Sequence, residues 1–91
     1  MVTDEQLLAA GFEQSPQGTL IKRLKALDMP YFNEHIVDEV NVSERTDVLV
    51  EVSSERLVSM QVPDYEEVSE PPVPMDTDEG RALLRDAGVK V

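Results

Sequence analysis

Residues 17–32, QGTLIKRLKALDMPYF, limit the folding options of this chain more than any other stretch, because they join an apolar stripe, a basic flank and a proline exit. Leu20, Ile21, Leu24 and Leu27 recur at three- and four-residue spacing, which places them on one stripe of a helix with Lys22, Arg23 and Lys25 at its sides. Gly18 and Thr19 supply a flexible entry and a hydroxyl cap. Pro30 disfavours helical geometry at Met29, so the spacing predicts an amphipathic helix over 19–27 that ends near Asp28. Tyr31 and Phe32 are then expected to begin an extended segment.

Upstream, Thr3 with Gln6 forms a capping-box pattern, Leu7, Leu8 and Ala10 give a short apolar face, and Gly11 is placed to stop the helix. The run EQSPQG at 13–18 has the composition of a turn, so two N-terminal helices are expected. After Pro30 the periodicity changes to two. Ile36, Val40 and Val42 share one face of a first strand; Val48, Val50 and Val52, then Val58, Met60 and Val62, mark two more, joined through Ser53-Ser54-Glu55-Arg56 as an antiparallel hairpin. His35 is expected at a strand edge. Residues 63–79 then carry Pro63, Pro71, Pro72 and Pro74 among carboxylates without one cation, a composition that reads as an extended linker. A last short helix begins at 78, capped by Asp76 or Thr77, with Leu83, Leu84 and Ala87 inside and Gly88 as its stop. The expected fold is therefore α+β: two N-terminal helices, a small antiparallel three-stranded meander, an acidic linker and a short C-terminal helix. Its parts are an α+β domain over 1–63, the linker over 64–76, and the helix and tail over 77–91.

A chain of 91 residues with 4 % aromatics and no Trp must build its core from Leu, Val, Ile, Ala and Met. A domain of about 60 residues buries only about 60 % of its unfolded surface, so a bound partner or a homodimer could supply further burial. The formal net charge is −11, and the first 32 residues are nearly neutral, so almost all of it lies in 33–91. Such a field repels nucleic acid and attracts basic protein surfaces. Asp64, Tyr65, Glu66, Glu67 and Glu70 are the candidate protein-binding residues. With no Cys, thiolate catalysis and zinc–thiolate sites are ruled out. His35 stands alone, Asp38, Glu39, Glu44 and Asp47 lack calcium-loop spacing, and no phosphate loop is present, so no catalytic residue, metal site or cofactor is expected. No secretory leader pattern and no long apolar run occur, and the expected location is cytoplasmic, away from membranes.

The helix, the Ser15-Pro16 turn, Gln17, Leu24 and the step Met29-Pro30-Tyr31-Phe32 together resemble the helix-turn-helix-like N-terminal module of phage integrases and, more distantly, excisionases. In that family a Gln opens the second helix, a Leu anchors it, and an apolar-Pro-aromatic step leads into a small wing. The resemblance covers residues 1–32 and implies a phage or prophage origin. Two functional readings follow. The first is a non-enzymatic protein-interaction regulator whose acidic face meets a basic protein partner. The alternative is a small DNA-binding regulator using Gln17, Lys22, Arg23 and Lys25.

Overall fold

The structure, a computed structural model of the chain, describes residues 2–36, 46–62 and 70–91. Helix α1 (Asp4–Ala9) starts at Thr3, whose amide donates to Gln6 Oε1 (2.8 Å) while the Gln6 amide donates to Thr3 Oγ1 (3.2 Å), the reciprocal capping expected from sequence. A five-stranded antiparallel sheet follows, in the order β1 (Glu13–Gln14), β2 (Leu20–Lys25), β3 (Asp47–Val52), β4 (Leu57–Gln61) and β5 (Glu70–Pro74). Helix α2 (Asp78–Asp86) closes the chain and lies against β4 and β5.

The expected second helix does not form: the residues read as its stripe are strand β2 and the 3-10 turn Ala26–Asp28. The EQSPQG run does turn the chain, but as a hairpin: Glu13 and Gln14 form β1, and Ser15 to Gly18 connect it to β2. The Gly18 amide donates to Ser15 O (3.1 Å), Gly18 adopts the left-handed conformation (φ +84°), and the Ser15 amide donates to Thr19 O (2.8 Å). This is a three-residue hairpin connection, a tight turn closed by a left-handed glycine. All six residues of β2 pair with β3, from Leu20↔Val52 to Lys25↔Asp47. Val48, Val50 and Val52 form a fully buried β-branched row that needs a partner strand on each side, and β2 supplies one of them. Leu27, assigned to the helical stripe, is 64 % exposed.

The meander thus has five strands rather than three, and the stretch read as linker contains one of them. Its pairing is Leu57↔Pro74, Val58↔Val73 and Met60↔Glu70, with an irregularity between Val58 and Met60. Pro71, Pro72 and Pro74 are compatible with β5 because it is the sheet's last strand, where missing donors can face away from the ladder. The expected strand over 36–42 is not found at its start: Ile36 ends a π-type helical turn, Phe32–Ile36, and 37–42 lie outside the described residues. His35 accordingly sits on a helical turn, not a strand edge.

One face of the sheet carries Leu20, Val48, Val50, Val52, Val58 and Met60, and it packs against Leu7, Phe12, Met29, Phe32, Leu83, Leu84 and Ala87. The 3-10 turn and the helical turn after it are held by Asn33, whose side-chain amide donates to Ala26 O. The short Phe32–Ile36 turn is anchored by Phe32, which is fully buried.

Candidate functional site

Strand alternation separates the three cations that neighbour one another in sequence. Side chains of successive residues point to opposite faces of a strand, so Lys22 follows Leu20 and Leu24 toward the helices while Arg23 and Lys25 follow Ile21 outward. Gln17 is exposed at the tip of the β1–β2 loop. The four residues of the DNA-binding alternative therefore do not share a surface, and no helix carries them.

Lys22 has a structural task. Its Nζ donates to Ala10 O and to Ala87 O, each at 2.6 Å. These two residues are the C-caps of α1 and α2. Both helices close in the same way: in α1 the Phe12 amide donates to Leu7 O and the Gly11 amide to Leu8 O, and in α2 the Val89 amide donates to Leu84 O and the Gly88 amide to Arg85 O. Each is a Schellman closure, with the glycine at positive φ. One ammonium thus sits where the negative ends of two helix dipoles converge. The caps and glycine stops of both helices are legible in the sequence, where Thr-Asp-Glu opens each and Leu-Leu followed by Ala-Gly and an apolar residue closes each, but no local signal shows that one lysine joins the two ends.

On the outer face Lys25 and Asp47 form an ion pair, both half-exposed, across a directly paired position of β2 and β3. The Lys25 hydrogen bond and then its charge hold the Asp47 carboxyl below the usual carboxylate range, and Arg23 adds a smaller attraction. A depressed folded-state value means that the pair favours the fold above the ordinary carboxylate value and that this contribution is lost as pH falls through the folded-state value. In Lys25→Ala the Asp47 titration midpoint is expected to rise toward the ordinary range, as followed by carboxyl-carbon NMR. An unmoved midpoint would show that the pair does not form in solution.

A groove of about 370 Å³ lies between residues 28–35 and α2. Asp28, Tyr31, Glu34 and His35 line one side, and Ala82 and Arg85 the other. Four-residue spacing on a helical turn brings Tyr31 and His35 together, and their rings stack with centroids 4.5 Å apart and planes 21° apart. Asp86 fixes this wall to α2: its carboxylate accepts from the Tyr31 amide (3.1 Å) and the Phe32 amide (2.8 Å). A carboxylate at the start of a helical turn satisfies donors that have no partner within the turn. No sequence motif pointed to this groove, because Asp86 and Tyr31 are 55 residues apart.

Of the candidate protein-binding residues, Asp64, Tyr65, Glu66 and Glu67 lie outside the described residues, and Glu70 begins β5. Of the described cations, four are firmly engaged within the molecule, whereas Arg23 and Lys90 carry no side-chain hydrogen bond or ion pair among the described residues. Lys22 bonds two helix ends, Lys25 pairs with Asp47, Arg56 with Asp4 and Val2 O, and Arg81 with Asp78 and Asp76 O. Glu5, Glu13, Asp28, Glu34, Glu55, Asp76 and Glu79 have side chains with no hydrogen-bond or ion-pair partner among the described residues. Among those residues no group of His, Asp or Glu could hold a metal ion, and no helix is long and apolar enough to cross a membrane. Comparison with protein-family models, with curated proteins and with solved structures returns no significant match.

Proposed function

We propose that this protein is a non-enzymatic interaction regulator that docks its acidic surface on a basic surface of a protein partner. The observation that carries the reading is the division of its charges: Lys22, Lys25, Arg56 and Arg81 are engaged by internal bonds, whereas among the described residues seven carboxylates, against the two cations Arg23 and Lys90, have no hydrogen-bond or ion-pair partner. With a formal net charge of −11, the outward field belongs to the carboxylates. A field of that sign speeds encounter with a basic partner and opposes approach to phosphates.

The test has two arms. The protein is used as bait in lysate of its source cells, captured proteins are purified, and direct binding is titrated at rising salt; labelled duplex DNA is titrated in parallel. A directly bound basic protein whose affinity falls as salt rises is the expected result. Submicromolar, sequence-selective duplex binding that is lost when Lys22, Arg23 and Lys25 are replaced together would overturn the reading in favour of DNA recognition.

A further inference from the structure

We propose that the groove between residues 28–35 and α2 receives an arginine side chain of the basic partner; the inference rests on the protein-interaction reading above and names its contact point. Three observations converge on a planar cation. First, the stacked Tyr31 and His35 rings line the groove, and an aromatic face attracts a cation lying over it. Second, the exposed carboxylates of Asp28 and Glu34 lie on the same wall, and neither has a partner among the described residues. Third, the wall is already held in place: Phe32 is fully buried beneath it, and Asp86 binds the amides of Tyr31 and Phe32. A site whose walls are fixed before binding loses little freedom when occupied.

Guanidinium fits this set better than ammonium. It is flat, so it can lie on the ring stack, and its fork of donors can engage a carboxylate through two bonds at once. An ammonium offers a point charge and is more strongly hydrated. Among the described residues Arg85 is the one cation lining the groove, and its Nε is directed to Val91 O at 3.4 Å, a long bond that holds it weakly. It opposes an incoming cation, which yields a prediction of opposite sign from the other wall residues: its removal should tighten binding.

The test uses the full chain, labelled with ¹⁵N, and two hexapeptides of equal charge, one of arginine and one of lysine, titrated at low and near-physiological salt. The arginine peptide should bind more tightly, with amide shifts centred on Tyr31, Glu34 and His35. Exposed His35→Ala should weaken it about three- to fivefold, Glu34→Gln by a similar factor, and Arg85→Gln should strengthen it. Circular dichroism of each variant confirms the fold, and the exposed positions of His35, Glu34 and Arg85 keep the core out of the comparison. Equal binding of both peptides with shifts spread over the acidic surface would overturn the groove and leave the interaction reading in place. Failure of both peptides to bind even at low salt would overturn the groove and the interaction reading together. Unchanged affinity in all three variants would also overturn the groove.

Discussion

Lys22→Met is expected to cost about 2–4 kcal/mol of folding stability, a large effect for a lysine on a strand of a small domain. A surface lysine normally contributes within about 0.5 kcal/mol. Lys22 differs because its Nζ donates to both Ala10 O and Ala87 O, and hydrogen bonds to a charged donor contribute roughly 1.5–3 kcal/mol each. Those carbonyls belong to the last turns of α1 and α2, where the partial negative charge of each helix is concentrated. The two Schellman glycines pack against the same side chain: a Cβ on Gly11 would lie 3.3 Å from Lys22 Cε, and one on Gly88 would lie 3.3 Å from its Nζ. Met keeps the length of the stem and removes the charge, so the substitution isolates the bonding. The measurement is the urea midpoint, with Arg23→Met as the control for losing a cation from β2. A Lys22→Met midpoint equal to that of Arg23→Met would show that the ammonium does not join the helices.

Gly80→Ala is expected to destabilise the protein by about 1–3 kcal/mol, which reverses the usual sign for this exchange. In an open helix Ala is favoured over Gly by up to about 1 kcal/mol. Gly80 stands in the first turn of α2, where its amide donates to Thr77 Oγ1 at 3.0 Å. Thr77 in turn donates its own amide (3.1 Å) and hydroxyl (2.7 Å) to Pro74 O, so the corner from β5 into α2 is drawn tight. A Cβ built on Gly80 would meet Pro74 O at 2.4 Å and Met75 Cα at 3.0 Å. Both are backbone atoms tied into the β5 corner and cannot swing away as a side-chain tip would. Relief requires α2 to move off β5, which loosens Leu83, Leu84 and Met75 in the core. At about 4–8 °C per kcal/mol for a domain of this size, the thermal midpoint should fall by roughly 10 °C. A rise in that midpoint would mean that the corner is looser than described.

The features that sequence alone determined are those whose chemistry is local. Thr3 and Gln6 cap α1 across three residues, Thr77 caps α2 across three, and both helices stop at glycines four residues beyond their last core leucines, Leu7 and Leu84. The β3–β4 hairpin belongs with them, since clean alternation on both sides of a short polar turn needs no distant partner to be recognised. Tertiary structure decided the rest. Leu20 and Leu24 are four residues apart, a spacing that keeps side chains on one face in a helix and in a strand alike, so the apolar pattern of β2 did not separate the two periods. Only pairing with the buried valines of β3 chose the strand, and that choice turned Lys22 inward, away from Arg23 and Lys25, and broke up the apparent basic patch. The prolines of β5 tell the same story from the other side: they argue against a central strand but permit an edge strand, and an edge exists only once the sheet is assembled. The groove at Tyr31 and His35 was hidden for the same reason, because the carboxylate that fixes its wall comes from Asp86 at the far end of the chain.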